Sequence, residues 1–186
     1  MAAFPDNPFW DFSVRVYGGR GVAPACLALQ DRHGLDVNLL LLCCWLGHCR
    51  AAAPTRAEVA RLVDAVAGWH RDVVRPLREA RRRLKAPGRA IGPDLAAALR
   101  EQVKRIELDA EHIEQLALAA ALPPGKLQTA PLRAHAAAAL GFYLDIVGVS
   151  PDDTERTHLE TLLAAAFPEV ASARPEAPAT GRRGPS

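Results

Sequence analysis

The chain has 186 residues, with 23 basic and 21 acidic side chains, a formal net charge of +2 and 49% hydrophobic residues. This length suits one domain with its own core, and the composition excludes a wholly disordered, fibrous or collagen-like chain. The small net charge argues against nucleic-acid binding through bulk charge alone. Only three of the 23 bases are lysine, which we attribute to a coding bias rather than to function.

Targeting signals are missing from the N-terminal sequence. Residues 1–10 contain neither a basic region nor an apolar run, so we expect no signal peptide. The longest apolar run, residues 39–46, is far shorter than the roughly 20 residues of a membrane-spanning helix. We therefore expect a cytoplasmic protein without a membrane span.

Helix start and stop signals divide the first 50 residues. Asn7 before Pro8 is typical of a helix start, and Gly34 suits the position after a helix end. Asp36 can cap the helix that follows. Residues 1–7 are expected to be flexible, and the predicted helices cover residues 8–17, 22–33 and 37–50.

Two long amphipathic elements come next and predict an antiparallel hairpin over residues 56–86 and 93–121. Thr55 and Glu58 fit a capping box at its start, and Pro76 should kink or split the first element. Apolar residues repeat every three or four positions in both elements. The predicted inward positions are Val59, Leu62, Val66, Trp69, Val73, Leu77, Ala80 and Leu84 in the first, and Leu99, Val103, Ile106, Ala110, Ile113 and Ala117 in the second.

Two further helices are predicted over residues 130–147 and 151–167. Residues 168–186 are rich in Pro, Ala and Arg and are expected to be disordered. The sequence thus predicts an all-α, single-domain bundle of about six to seven helices over residues 8–167.

A basic stripe is the main candidate binding feature. Residues 69–89 hold eight bases and two acids, and six of the bases recur at steps of four and three on one helix face. Residues 93–115 hold six acids and three bases, so a solvated hairpin face laced with ion pairs is the favoured explanation. The alternatives are a surface for phosphate, RNA or an acidic protein, and an amphipathic helix on a membrane surface. The stripe consists of Arg71, Arg75, Arg78, Arg82, Lys85 and Arg89.

Cysteine and histidine cluster in the third predicted helix. Cys44 and His48 share a helix face and Cys49 follows, but no second ligand pair completes a zinc site. Buried thiols in a reducing compartment are the favoured interpretation, also for Cys26 and Cys43. A thiol or metal-dependent enzyme at Cys44 and His48 remains the less favoured alternative, and we expect no cofactor.

Three sequence blocks resemble an uncharacterised bacterial family of small helical proteins, a domain of unknown function. They read FWDFSVRVY at 9–17, GVAPACLALQDRHGLDVNLLL at 21–41 and WHRDVVRPLREARRRLK at 69–85, and the resemblance covers about residues 8–122. It implies a bacterial cytosolic, all-α protein, and it brings no activity, cofactor or binding residue with it.

The leading functional hypothesis is a non-enzymatic helical protein that contacts a protein or anionic partner through the basic stripe. Direct RNA or DNA binding through the same face is the second hypothesis, and a steep salt dependence would distinguish it. The sequence leaves the partner's identity and the oligomeric state open.

Overall fold

A computed structural model describes residues 4–49, 52–88, 90–122 and 132–168. The remaining residues, which include Arg89 of the basic stripe, residues 1–3 of the predicted flexible N-terminus and residues 169–186 of the predicted disordered tail, lie outside the described part. Within the described ranges the chain is all-α, as the sequence predicted. None of the helices there has the length and apolar character needed to cross a membrane.

Eight α-helices and one π-helical turn make up the described structure. The turn, His70–Val74, joins two of the α-helices without a break, so the described residues form seven continuous helices. The α-helices are α1 (Pro8–Tyr17), α2 (Val22–His33), α3 (Val37–Cys49), α4 (Arg56–Trp69), α5 (Arg75–Arg83), α6 (Pro93–Ala121), α7 (Arg133–Ile146) and α8 (Asp153–Ala166).

The predicted helix boundaries follow from short-range capping. The Asn7 side chain accepts a hydrogen bond from the Phe9 N–H, and Thr55 and Glu58 form the predicted capping box. Gly34 has a φ of 68°, the left-handed conformation expected after the end of a helix. Asp36 accepts a hydrogen bond from the Asn38 N–H at the start of α3. These caps rest on residues no more than four apart, which is why the sequence predicts them.

Helix α3 lies at the centre of the bundle and contacts α1, α2, α6, α7 and α8. Its residues 38–44 and 46–47 are all buried, so it has no solvent-facing stripe. A helix that is apolar on all sides belongs in a core, as predicted from its short apolar run.

The hairpin has the predicted antiparallel arrangement, but the first arm changes register at the π turn. Val59, Leu62 and Val66 are buried as predicted, whereas Trp69 is 37% exposed and Ala80 is also exposed. The buried positions after the turn are Val74 and Arg78.

A wider turn closed by the Arg75 N–H and the His70 carbonyl explains this shift, because it adds one residue to the helix repeat. Pro76 follows directly, and its ring would clash with the carbonyl of Asp72 in a regular α-helix. Of the inward positions predicted after residue 66, Trp69 and Ala80 are exposed, whereas Val73, Leu77 and Leu84 are half-buried.

The inward face predicted for α6 is also wrong for most of its length. Ala110 is buried, but Leu99, Ile106, Ile113 and Ala117 are exposed. The helix turns a polar face inward instead, and the buried residues are Ala96, Glu107, Ala110, Glu114, Gln115 and Leu118. Charged and hydrogen-bonding partners on α3, α5 and the π turn hold the polar residues there.

The hairpin surface and the buried polar cluster

Arg78, one of the four central residues of the predicted basic stripe, faces inward. Only 9% of its surface is exposed. Its Nε donates to Glu107 Oε1 at 3.2 Å, and its Nη2 donates to Glu111 Oε1 at 2.8 Å. Arg81 also donates to Glu107. These contacts hold α5 against α6, so Arg78 is not part of a solvent-facing cationic surface.

The other described residues of the stripe are exposed. Arg71 pairs with Asp72, and Arg82 pairs with Asp31 of α2. Arg75 and Lys85 have no carboxylate within 4 Å in the part of the chain that the structure describes. The solvent-accessible cations among the described residues of the stripe are therefore Arg71, Arg75, Arg82 and Lys85.

An apolar stripe runs along the outer side of α6. Leu95 is 75% exposed, Leu99 48% and Ile106 54%, and Ile113 continues the row toward the C-terminal end. At 100° per residue these four side chains fall within about 40° of one helix face. Trp69, whose Nε1 donates to the Ala110 carbonyl at 3.0 Å, places an indole beside the same helix.

The stripe ends in an open depression at the tip of the hairpin, which we call the tip depression. It has a volume of about 650 Å³. Its lining combines apolar side chains from both arms and the connection with two arginines, namely Leu84, Ala86, Pro87, Ile91, Leu99, Arg82 and Arg83.

A second polar feature lies inside the bundle, where α3, the π turn and α6 meet. His70 Nδ1 lies 3.1 Å from Asp36 Oδ2 and 3.2 Å from Glu114 Oε1. The side chain of Glu114 is completely buried, that of Asp36 is 6% exposed and that of His70 is 12% exposed. We call Asp36, His70 and Glu114 the buried triad.

Neighbouring side chains fix the orientation of the buried triad. Asn38 Nδ2 donates to Glu114 Oε2 at 2.6 Å, and the Asn38 side-chain carbonyl accepts from Gln115 Nε2 at 2.8 Å. The Asp36 N–H donates to the Tyr143 hydroxyl oxygen at 2.9 Å. Helices α3, α6 and α7 thus all contribute to the positions of the two carboxyl groups.

Burial and charge act against each other in the buried triad. Burial by itself lowers the pKa of His70, but the adjoining Asp36 and Glu114 carboxyl groups raise it, to about 9. Burial raises the pKa of the Glu114 carboxyl, and this effect exceeds the lowering caused by His70. The two carboxyl groups therefore favour the protonated form of His70.

The predicted cysteine and histidine candidates lie in a different environment. Cys43 and Cys44 are buried, and burial raises the pKa of both thiols. The His48 ring packs against Phe12 and Trp45. Cys44, His48 and Cys49 do not form a group of three convergent ligand atoms, whereas the buried triad does so among the described residues.

Sequence reasoning assigned Asp36 only a capping role and missed the buried triad. Its members are 34 and 44 residues apart in the chain, and no local spacing brings them together. The π turn rotates His70 inward, to a position that the predicted register gave to Trp69. The sequence offered one signal for the irregular turn that places His70, namely Pro76 in the interior of the same helix.

A family model with the description "Protein of unknown function (DUF2390)" matches residues 8–118. This range agrees with the resemblance inferred from the sequence blocks. No curated protein and no solved structure matches the chain.

Proposed function

We propose that this chain, which belongs to the DUF2390 family of proteins of unknown function, is an interaction protein whose hairpin tip binds an acidic amphipathic segment of a partner protein. The observation that supports the proposal is the tip depression, in which exposed apolar side chains adjoin arginines. The proposed setting is the cytoplasm of a bacterium, in line with the unpaired state of the buried thiols.

The described residues leave the apolar stripe on α6 uncovered. The residues outside the described ranges contain just three large apolar side chains, Met1, Leu127 and Val170. Contiguous exposed apolar surface is rare on monomeric soluble proteins and usually marks a site of association. A helix with its own apolar row would bury Leu95, Leu99 and Ile106 in the manner of helix-in-groove recognition.

The charge around the tip favours an acidic partner. Residues 81–105 hold eight bases and two acids, and of the bases at the tip Arg82 and Arg83 form exposed ion pairs with Asp31 and Glu79. Arg82 and Arg83 lie at the edge of the tip depression, and the exposed Lys85 follows them closely in the chain. Carboxylates that flank a partner's apolar row would meet these cations, which would guide association and fix its direction.

Nucleic-acid binding through the same surface is the second hypothesis, and the tip depression argues against it. Phosphate contacts use cations and polar groups, so they would leave Leu84, Ile91 and Leu99 exposed. A protein segment would cover both the apolar and the cationic parts. The two hypotheses also differ in salt dependence, which is steep for phosphate binding.

The experiment has two stages. Proteins captured from the native host by the full chain are compared with those captured by Leu99→Glu, Ile106→Glu and the control Leu27→Glu. Leu27 is 41% exposed on α2 and matches Leu99 in size and exposure. Acidic amphipathic segments of proteins that depend on Leu99 and Ile106 are then synthesised and titrated in fluorescence polarisation.

We expect a peptide to bind the full chain and the Leu27→Glu control equally, and the Leu99→Glu chain at least tenfold more weakly. Arg82→Glu combined with Lys85→Glu should also weaken binding. The proposal is wrong if no captured protein depends on the stripe, or if the same substitutions instead dissociate a dimer of the chain. Binding of RNA with a steep salt dependence, and of no acidic peptide, would favour the second hypothesis.

A further inference from the structure

We propose that Asp36, His70 and Glu114 bind a divalent transition-metal ion between α3, the π turn and α6. The site is separate from the tip depression and does not depend on the proposed function. It combines residues from three elements that are distant in sequence.

The ligand atoms have the spacing of a coordination sphere. Asp36 Oδ2, His70 Nδ1 and Glu114 Oε1 converge, and candidate ligand atoms of the three residues all lie within 4.8 Å of one another. Metal–ligand bonds of about 2.0–2.2 Å place neighbouring ligands roughly 3.0–3.5 Å apart. The two nitrogen–oxygen separations of 3.1 and 3.2 Å already match that spacing.

In each carboxylate, one oxygen accepts a hydrogen bond from Asn38. The other oxygen faces the point where the three ligand atoms converge. Asp36 Oδ1 accepts from the Asn38 N–H at 2.8 Å, and Glu114 Oε2 accepts from Asn38 Nδ2. Such contacts outside the ligand shell are what orient metal-binding side chains. The arrangement leaves Asp36 Oδ2 and Glu114 Oε1 beside the imidazole nitrogen.

Asp36 Oδ2 supplies an independent indication of a ligand. This oxygen is buried, its side chain is 6% exposed, and among the described residues none meets the geometry of a hydrogen bond to it. Its one close cationic neighbour there is His70 Nδ1 at 3.1 Å, and that nitrogen directs its hydrogen bond to Glu114 Oε1. A buried carboxylate oxygen without a donor is costly, and a cation would satisfy it.

The charge of the buried triad suits a doubly charged ion. Two carboxylates and one neutral imidazole carry a charge of −2 when they ligate an ion. A divalent cation makes such a site neutral. A neutral arrangement is the favourable one for a site as buried as Glu114.

The donor set selects the class of metal. One imidazole nitrogen and two carboxylate oxygens fit Zn²⁺, Mn²⁺, Fe²⁺ or Co²⁺ better than Ca²⁺ or Mg²⁺, which prefer oxygen ligands alone. Three protein ligands leave at least one coordination position for a small molecule. At 12% exposed, the His70 side chain is the most accessible of the three to solvent.

The test uses the full chain, purified without an affinity tag and stripped with a chelator. Zn²⁺, Mn²⁺ and Co²⁺ are each titrated by calorimetry, and thermal unfolding is measured with and without the ion. We expect one ion per chain and a higher Tm, and no comparable effect of Mg²⁺. Co²⁺ should also give the visible absorption of a site with nitrogen and oxygen ligands.

The variants Asp36→Asn, His70→Gln and Glu114→Gln keep the size of each side chain, and Asn keeps an oxygen that can cap α3. We expect each to bind the ion at least tenfold more weakly. His33→Gln is the matched control, because His33 contacts Glu155 at another partly buried histidine–carboxylate pair. The His33→Gln chain should bind the metal ion with the same affinity as the unaltered chain.

Equal binding by all variants, or no binding at one ion per chain, would overturn the proposal. If the variants fail to fold, NMR of the unaltered chain can test whether His70 binds the ion. Nitrogen NMR of the imidazole rings should show Zn²⁺ shifting the His70 Nδ1 signal and leaving that of His33 unchanged. An unshifted His70 signal would equally rule out the site.

Discussion

Arg78 lies between α5 and α6, and its guanidinium faces Glu107 and Glu111. Its side chain is 10% exposed and that of Glu107 is 6% exposed, so water screens this pair only weakly. Removing one member of a buried ion pair leaves an uncompensated charge, which costs far more than the loss of an exposed pair. Arg78 therefore has a structural role that the exposed residues of the stripe do not share.

Arg78→Met should destabilise the protein by about 1–3 kcal/mol, because Glu111 loses its cation and Glu107 keeps only Arg81. Arg75→Met is the control, since Arg75 is exposed and has no acidic partner among the described residues, and its effect should stay within about 0.5 kcal/mol. Urea unfolding followed by circular dichroism measures both. A loss below about 1 kcal/mol for Arg78→Met would contradict the structural role of this residue.

At the residue scale, the sequence predicts what depends on nearby residues. Asn7, Thr55 and Gly34 have the predicted capping roles because each contact spans a few positions. The inward position of Arg78 was not predictable in the same way. It depends on carboxylates about 30 residues further along the chain.

Among the elements, α3 and α7 pack closely where Gly47 lies against the first turn of α7. The Gly47 carbonyl accepts a hydrogen bond from the Leu132 N–H at 2.8 Å. A Cβ at Gly47 would meet the Ala136 nitrogen at 2.6 Å and the Leu132 carbonyl oxygen at 2.7 Å. Both atoms belong to the backbone, so α7 itself would have to move.

Gly47→Ala should therefore destabilise the protein by about 1–3 kcal/mol or more, as overpacking of a core does. Gly68→Ala is the matched control in α4, where a Cβ would have no atom within 4 Å. There, alanine should stabilise the helix by roughly 0.5–1 kcal/mol, because glycine loses more backbone freedom on folding. Thermal and urea unfolding of both variants test the contrast, and an equal shift of the two would refute this account of the packing.

The π turn shows why helix positions were predictable and helix faces were not. The periodicity of residues 56–86 gave the correct element, and Pro76 indicated the interruption. Trp69 ends α4 on the exposed side, and the additional residue in the turn then brought Val74 and Arg78 inward. Apolar periodicity assumes a constant 3.6-residue repeat, so it cannot report where that repeat changes.

For the molecule as a whole, the family match and the folded unit differ in extent. The match ends at residue 118, whereas the core continues into α7 and α8. Nine of the 27 buried residues of this core, among those described, come from the last two helices. They are Ala136, Ala139, Leu140, Tyr143, Leu144, Leu159, Leu162, Leu163 and Ala166.

The all-α class and the hairpin could be inferred from the sequence because the apolar pattern that predicts them recurs over many residues. The buried triad and the tip depression could not, since each requires knowing which faces meet. In α6 the apolar row predicted an inward face, yet Glu107, Glu114 and Gln115 occupy that position. Their partners on other elements outweigh the pattern of the helix itself.

Ion pairs also connect the start of α8 to α2. Arg32 of α2 contacts Asp152 at 2.9 Å and Glu155 at 3.1 Å, and His33 also contacts Glu155. Helix α2 packs along α8, and α3 packs along α7. Helices α7 and α8 thus cover a large part of the surface that α2 and α3 would otherwise expose.

A chain ending at residue 122 should consequently fail to fold cooperatively, although it contains the complete family match. Without α7 and α8, the core residues of α3 lose their covering on one side, and apolar burial is the main favourable term in folding. A chain ending at residue 168 keeps all eight α-helices and should unfold like the full chain. Urea unfolding and binding of an apolar dye distinguish the two, since an incomplete core binds the dye without a sharp transition. A sharp transition for the shorter chain would show that residues 8–118 form a folding unit of their own.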